Sequence, residues 1–423
     1  MLQPRSTFPF PFYYGWIVVG VSSLTLTLAW SVRVTFTAFY PEMVEDLGWS
    51  SSSGTLGYSF SWLLLIVFFP ISGYLFDRFG PRRTVAMGAS VLVAGLALLS
   101  TVTSLWAYIL YFGLFVGFGL SLLLLSSVAV LPRWFTRRKG RIQGIVATGY
   151  AIGPIILLPL MTHFISSVGW RGSFLIFSSI IGALVPIALL FCRGYPQDVG
   201  QFPDGRSVAG ESSEEWFSGG QGQESLGPTL HAALGTASFW FLAVSFFFGV
   251  ISYNILLVHQ MAHAMDVGFD KALSARVFGM AGFFTFAGVV AGGALSDRIG
   301  REWVFSGGSA LAIFGLTLFA FLQGPDETWK IVTYAMATGL GFGFRLPLLV
   351  VIPADIFNGQ SFGRILGSLN MGSALGGFAG PIVAGFLFDI LESYALAFAL
   401  AAVSAALSAF LVWMAAPRKY RRL

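Results

Sequence analysis

The stretch GYLFDRFGPRR, residues 73–83, decides the fold because it occurs a second time in register. The second copy, GALSDRIGRE, begins at Gly293, and Asp297 follows Asp77 by 220 residues. Two further pairs keep nearly the same separation: DLGWSS at Asp46 with DVGFDK at Asp266, and GRIQG at Gly140 with GRILG at Gly363. A repeat that holds its register over several segments predicts two halves of similar structure.

The composition is typical of a membrane protein. Of the 423 residues, 56% are hydrophobic and 10% are charged, with a mean hydropathy of +0.78, whereas soluble domains carry about 25% charged residues. Twelve apolar runs are long enough to cross a bilayer, at 15–40, 55–76, 84–102, 105–131, 141–165, 172–192, 239–263, 274–296, 303–322, 329–353, 363–388 and 394–415. We therefore predict an all-α integral membrane fold, with twelve transmembrane helices in two pseudo-symmetric six-helix bundles.

A polar segment separates the two bundles. Its Gly-, Ser- and Glu-rich sequence predicts a flexible cytoplasmic linker at 193–238, between an N-terminal bundle at 1–192 and a C-terminal bundle at 239–423. The single cysteine, Cys192, excludes an intramolecular disulfide. No small-residue cleavage site follows a short apolar core near the start, so we expect the first span to be retained.

The basic residues predict the orientation in the membrane. With the N-terminus inside, eighteen of the 24 Lys and Arg fall on inner segments and four fall on outer segments. An excess of Lys and Arg marks the cytoplasmic side, so both termini are predicted to be cytoplasmic. This distribution accounts for the net charge of +5 without a nucleic-acid partner.

The repeat, the long central loop and the pattern G-x-x-x-D-R-x-G-x-R at 73–82 resemble the major facilitator superfamily. YYGWIVV at 13–19, DLGWS at 46–50 and FWFLAVSFFFG at 239–249 are similar to bacterial monocarboxylate porters and oxalate/formate exchangers. An arginine in span 1 followed by FYPEMVEDLGWSSSSGTLGYSFSW is similar to the organic anion:cation symporters, although Val32 replaces their usual aspartate before it. Both resemblances imply an organic anion as substrate, and the similarity to bacterial porters implies a bacterial inner membrane as location.

The repeated motif has a physical role of its own. Gly73 allows close helix packing, and Asp77 could bond the arginines of its own loop or cap a neighbouring helix N-terminus. Such a contact would hold one conformation and break in another, whereas the simpler interpretation is a positively charged membrane anchor. The residues predicted to act in conformational gating are Gly73, Asp77, Arg78, Gly80, Arg82, Gly293, Asp297, Arg298, Gly300 and Arg301.

Two arginines, Arg33 in span 1 and Arg345 in span 10, fall within apolar runs. A charge at the bilayer centre costs at least a few kcal/mol. The acids that follow them most closely, Glu42 and Asp355, lie nine and ten residues further on, which is roughly 13–15 Å along a helix. We therefore predict that the substrate supplies the missing anion, since a guanidinium binds a carboxylate bidentately. The alternative is an arginine bonded to helix carbonyls or extended toward an interface.

Span 7 adds titratable groups. Tyr253 occupies the position equivalent to Arg33, and His259 and His263 share one helix face. Histidine titrates near neutral pH and could carry a coupling proton, although each could instead be a neutral, hydrogen-bonded histidine. The predicted substrate-binding residues are Arg33, Arg345, Tyr253, His259, Trp30, Tyr334, Asn370 and Tyr58, and the predicted proton-coupling residues are His259 and His263.

These features predict a secondary active transporter of small organic anions, mono- or dicarboxylates, that works by alternating access. Proton symport is favoured over anion exchange, and efflux of amphipathic or acidic compounds is the alternative. The sequence lacks the loop G-x-x-x-x-G-K-[ST] that would bind ATP. We predict no enzymatic activity, no cofactor and no metal site, and a monomer whose partners are the substrate, a proton or counter-anion, and the lipid bilayer.

Overall fold

The computed structural model describes residues 12–49, 51–205, 227–415 and 417–419, and for 51–59, 271, 272 and 275 it describes the backbone alone. Ten helical segments of this part are long and apolar enough to cross a membrane. Two of them contain a non-helical glycine that separates two helices, which makes twelve spans.

The spans are numbered in chain order. Span 1 is Gly15–Leu47, spans 2 and 3 divide Ser51–Leu99, span 4 is Leu105–Trp134, spans 5 and 6 divide Lys139–Phe191, span 7 is Ala237–Asp266, span 8 is Lys271–Ile299, span 9 is Arg301–Ala320, span 10 is Pro325–Phe357, span 11 is Phe362–Leu391 and span 12 is Ala395–Ala415. Span 4 contains a π-helical turn at Tyr111–Val116, and span 10 consists of the helices Thr328–Arg345 and Leu348–Phe357 after a short turn.

Glycines of the repeated motif form the tight turns between spans. Gly80 has φ 73° between spans 2 and 3, and Gly300 has φ 112° between spans 8 and 9. Because a Cβ atom is strongly disfavoured in this region of φ, glycine at these positions lets the chain reverse with no intervening loop. Gly169, with φ 74°, does the same between spans 5 and 6.

Each half has its own aromatic core. In the N half (spans 1–6) the rings of Phe39 and Phe174 stack at 4.0 Å, and in the C half (spans 7–12) Phe319 and Tyr334 stack at 4.0 Å. The halves meet where span 2 packs on span 11 and span 5 packs on span 8. At these crossings glycines bring the backbones together, since a Cβ on Gly73 would collide with the carbonyl oxygen of Gly363 and a Cβ on Gly140 with that of Gly293.

The first part of the linker is folded. Residues 193–205, which composition assigns to a flexible segment, pack against the N half. The Asp204 carboxylate accepts hydrogen bonds from Thr136, and the Gln201 side-chain oxygen accepts the Tyr14 backbone N–H at 2.8 Å. Residues 206–226 of the predicted linker lie outside the part that the structure describes.

Packing between the halves predicts the effect of Gly73→Ala. The added methyl group meets backbone at Gly363, which has no flexible side chain to move aside, so we expect a loss of about 1–3 kcal/mol. The matched control is Gly307→Ala, because nothing lies within 4 Å of a Cβ there. Thermal unfolding in detergent should show a lower melting temperature for Gly73→Ala alone, and equal melting temperatures would contradict the close helix contact.

Burial predicts an unreactive thiol at Cys192. Burial raises the pKa of this thiol from its ordinary value of 9.0 to about 12, and the thiolate is the reactive form. Maleimide labelling at pH 8 should therefore be slow, rise with pH toward 12 and become fast in denaturant. The neutral thiol contributes stability below pH 9 that is lost as the pH rises toward 12. Labelling as fast as that of a free cysteine would contradict this placement.

Candidate functional site

The two motif aspartates join the halves at one end of the molecule. The Asp77 carboxylate accepts the backbone N–H groups of Gly363 at 2.9 Å and Arg364 at 2.8 Å. The Asp297 carboxylate accepts those of Gly140 at 3.0 Å and Arg141 at 2.8 Å. Each aspartate therefore caps a helix of the opposite half, where the positive end of the helix dipole stabilises a carboxylate.

We call these two contacts the latches and the end of the molecule that carries them the latch face. Of the two contacts that the sequence allows for Asp77, the structure shows the helix cap. Two basic side chains lie beside Asp77: Arg133 Nη2 of span 4 lies 3.6 Å from Asp77 Oδ1, and Arg364 Nε of span 11 lies 3.9 Å from Asp77 Oδ2. The Arg133 guanidinium also lies over the rings of Phe76 and Tyr195, at 4.7 and 4.8 Å from their centroids. Tyr195 belongs to the folded part of the linker.

The second latch contains an additional carboxylate that sequence reasoning missed. Arg301 Nη1 lies 2.6 Å from Asp297 Oδ1, and its Nε lies 3.0 Å from Asp355 Oδ2. Lys139 Nζ, from the opposite half, lies 3.2 Å from Asp355 Oδ1. Asp355 thus links both halves through charged hydrogen bonds. No spacing in the chain signals this role, because Asp355 ends a span outside the repeated motif.

The other predicted gating residues have separate positions. Gly73, Gly80, Gly293 and Gly300 form the close contacts and turns of the latch face. Arg78 donates to the Tyr74 hydroxyl at 2.7 Å. Arg82 and Arg298 are exposed. The gating role of all these residues stays a prediction.

Arg33 lies buried at the middle of span 1, with 3% of its surface exposed. Its Nη2 lies 3.4 Å from Ser61 Oγ, and its guanidinium carbon lies 3.9 Å from the centre of the Trp62 ring. Such cation–π contacts are worth up to about 2 kcal/mol when the charge is desolvated. A Cβ on Gly377 of span 11 would collide with Trp62. Trp62 is therefore a contact between span 2 of the N half and span 11 of the C half, and Arg33 packs against it.

Two aromatic residues, Trp30 of span 1 and Tyr150 of span 5, meet one another, and we call them the central aromatic group. The Trp30 ring meets the Tyr150 ring edge-on at 5.0 Å. The Tyr253 ring of span 7 instead meets the Phe342 ring of span 10 edge-on at 5.2 Å, inside the C half. Trp30 and Arg33 are neighbours on one helix face, three residues apart. Tyr150 escaped sequence reasoning because an isolated tyrosine in an apolar span carries no pattern.

A cavity opens at the end opposite the latch face. Its volume is about 440 Å³, and its lining residues are Thr37, Ala38, Glu42, Leu158, Thr162, Ile165 and Ser166. Steps of four along span 5 place Tyr150, Leu158 and Thr162 on one face. The cavity therefore continues the face that carries the central aromatic group. The latches hold the halves together at one end of the molecule, and this cavity of the N half lies toward the other end.

Arg345 lies inside the C half. Its Nη2 lies 3.1 Å from Ser408 Oγ of span 12, and its guanidinium lies 4.9 Å from the Phe305 ring of span 9. It is the last residue of the helix Thr328–Arg345, and a cation is stabilised at a helix C-terminus. Within the described part of the chain its buried Nη1 has no hydrogen-bond partner. Each arginine lies against residues of its own half, and substrate binding by either one stays a prediction.

The remaining predicted site residues divide into two sets. His263 and Tyr334 are buried inside the C half, where His263 Nε2 lies 2.9 Å from the Phe319 carbonyl oxygen and the Tyr334 hydroxyl donates to Gln260 at 2.9 Å. His259 and Asn370 are partly exposed, and His259 Nε2 lies 3.2 Å from the Pro381 carbonyl oxygen of span 11. The side chain of Tyr58 lies outside the described residues.

The latches predict that Asp77→Asn and Asp297→Asn shift the protein away from this conformation. Asparagine keeps an acceptor oxygen but loses the charge that favours the helix N-terminus, a loss of about 0.3–2 kcal/mol per site. With Cys192→Ser as background, a cysteine at Gln143, which is buried near the latch face, should label faster in both variants. The double variant should label faster than either single variant. Unchanged labelling would show that the aspartates do not control this opening.

Comparison with known proteins agrees with this architecture. The sequence profile of the Major Facilitator Superfamily matches residues 19–334 and 266–423. Monocarboxylate transporter 13 of Bos taurus is 26% identical over 92% of this chain and 86% of its own length, and human monocarboxylate transporter 11 is 25% identical over 96% and 83%.

Solved structures share the fold at low identity. The proton:xylose symporter XylE, bound to 6-bromo-6-deoxy-D-glucose, has a TM-score of 0.77 at 14% identity, with 95% of each chain covered. The transporter FucP in the outward conformation has a TM-score of 0.71 at 14% identity, with 95% of this chain and 99% of that chain covered. The resemblance seen in the motifs is thus confirmed, and the chain belongs to the Major Facilitator Superfamily of membrane transporters.

Proposed function

We propose that this transporter carries small organic anions, mono- or dicarboxylates, and that proton symport is favoured over anion exchange. The observation that carries the proposal is Arg33, a permanent cation held at mid-span beside Trp62 and the contact between the halves. A charge at this depth is costly, and an anionic substrate would offset that cost. The planar guanidinium suits a carboxylate. The names of the similar monocarboxylate transporters support this substrate class.

Transport would proceed by alternating access. In the present conformation the latch face is closed, and the cavity lined by Thr37 and Thr162 lies toward the opposite end. Breaking both latches would let the halves rock about the central site and expose it on the other side. We propose that the latch face is cytoplasmic, because it carries most of the basic residues. Both termini would then be cytoplasmic and the protein would reside in the cell membrane.

A proton could accompany the anion by two routes. His259 is partly exposed on span 7 and bonds span 11 through Pro381, so its protonation would act where two spans of the C half meet. The other route is entry of the substrate carboxylate in its protonated form. Two similar solved structures are named as proton symporters, XylE for xylose and FucP for fucose, and these names support proton coupling in general. His263 is enclosed by the aromatic rings of Phe319 and Phe398, which favours a structural role.

Efflux of amphipathic acids is the second candidate function. The central aromatic group beside Arg33 favours it, because rings next to a cation suit a molecule with an apolar body and an acid group. The site would be the same and only the direction of transport would differ. We propose no enzymatic activity, as the relatives are named as transporters.

Uptake into proteoliposomes with a trapped pH dye tests the role of Arg33. A panel of monocarboxylates, dicarboxylates, sugars and cationic dyes is offered to the wild type and to Arg33→Ala and Arg33→Lys. We expect internal acidification with carboxylates, at least a tenfold loss in Arg33→Ala and a partial loss in Arg33→Lys, because lysine keeps the charge without the planar fork. Anion counterflow without acidification would indicate exchange.

The matched control is Arg83→Ala, which removes an exposed arginine outside the predicted gating set. It should transport like the wild type. Carboxylate uptake that survives Arg33→Ala, or uptake of cations or sugars instead, would contradict the proposed anion site. A parallel test of Arg345→Ala shows whether the second arginine takes part, and a loss of folding in that variant would identify a structural role.

A further inference from the structure

The chain ends in a short basic segment beyond span 12. The span ends at Ala415, and a 3-10 turn, which we call the basic turn, follows at Pro417–Lys419. Pro417 is buried, whereas Arg418 and Lys419 are exposed. Four of the last six residues of the sequence are basic, and the two at 421 and 422 lie outside the described residues. Basic residues that directly follow a transmembrane helix on the cytoplasmic side attract anionic lipids.

A carboxylate of the repeated motif holds the basic turn in place. The Glu302 carboxylate accepts the backbone N–H of Arg418 at 2.7 Å, and Glu302 is 3% exposed. In the first copy of the motif the equivalent residue is Arg82, so the two copies differ in charge here. Glu302 lies in the first turn of span 9, where the helix dipole stabilises a carboxylate. Because it directly follows Arg301 of the second latch, the basic turn lies on the latch face.

Two tryptophans lie beside the basic turn. The Arg418 guanidinium carbon lies 5.0 Å from the centre of the Trp413 ring. The Trp413 indole N–H donates to Ser306 Oγ at 2.8 Å, and the Trp303 ring meets the Trp413 ring edge-on at 5.2 Å. Trp303 is 64% exposed, and tryptophan is enriched at the level of the lipid headgroups. A guanidinium stacked on an indole keeps the N–H groups of its edge available to a phosphate.

We propose that the basic turn, Trp303 and Trp413 form a binding site for the headgroup of an anionic phospholipid. The phosphate of the lipid would bind the Arg418 guanidinium, Lys419 would add charge, and the Trp303 ring would lie at headgroup level. Since we propose that the latch face is cytoplasmic, the lipid would belong to the cytoplasmic leaflet, whose surface is negative.

The role of Glu302 distinguishes a built site from a diffuse basic surface. By charge alone, removal of this carboxylate makes the latch face more positive, which strengthens the binding of an anion. In a built site the same carboxylate positions the backbone of Arg418, so its removal frees the guanidinium and weakens binding. Glu302→Gln therefore gives opposite results in the two cases.

Native mass spectrometry of the full chain in neutral detergent tests the proposal, because it counts the lipids bound to each chain. The probes are phosphatidylglycerol, phosphatidylcholine with the same acyl chains, and inorganic phosphate as a competitor. The variants are Arg418→Gln, Trp303→Leu and Glu302→Gln. The matched control is Arg83→Gln, which removes one exposed charge from the first copy of the motif. Melting temperatures measured in parallel separate a folding defect from a loss of lipid binding.

We expect the first phosphatidylglycerol to bind at least tenfold more tightly than phosphatidylcholine. One basic residue near a negative lipid surface changes affinity about fivefold, so Arg418→Gln should weaken phosphatidylglycerol binding by at least that factor. Trp303→Leu and Glu302→Gln should weaken it at least threefold, and Arg83→Gln should stay within twofold of the wild type.

Three results would overturn the site: tighter or unchanged binding in a folded Glu302→Gln variant, an equal loss in Arg83→Gln and Arg418→Gln, or displacement of the lipid by millimolar inorganic phosphate. The last would identify a site for a soluble anion. If Glu302→Gln does not fold, the comparison of Arg418→Gln with Arg83→Gln decides. No transport substrate is present in this experiment, so its failure would leave the proposed anion transport intact.

Discussion

The structure depends on two carboxylates that each cap a helix belonging to the other half. Asp77 holds the start of span 11 and Asp297 holds the start of span 5. A cap of this kind is worth up to about 2 kcal/mol in a partly buried site, so each latch is strong enough to favour one conformation and weak enough to break. The glycine contacts beside them bring backbones together without interlocking side chains. The closed latch face follows from these contacts.

The two intramembrane arginines show how position decides the role of a residue. Arg33 lies over Trp62, where span 2 meets the opposite half. Arg345 ends a helix inside the C half and bonds Ser408. The two arginines cannot be distinguished from the sequence, since both are cations within apolar runs. Only the first lies near the contact between the halves, and the second is stabilised by a helix C-terminus.

Repetition and hydrophobic length predicted the twelve spans and the latch aspartates, because both signals can be read from the order of residues along the chain. Arg301, the partner of Asp297, belongs to the motif, but sequence reasoning did not find Arg133 beside Asp77 or Asp355 beside Arg301. Arg133 and Asp355 lie outside the motif, and nothing in their spacing indicates an ion pair across so many residues. The folded start of the linker was also missed, since Asp204 is held by a contact with Thr136 that composition does not reveal.

By itself the sequence determined a membrane protein of two repeated six-helix halves, because the bilayer imposes helix length and the motif repeats in register. It also placed a cation at mid-span in Arg33, since a charge within an apolar run is visible without coordinates. The tertiary structure decided which half each aspartate caps, which arginine lies beside the contact between the halves and how Trp30 meets Tyr150. These contacts depend on how each helix is rotated and on packing between segments that are distant in the chain. Neither can be predicted from the order of residues along one helix.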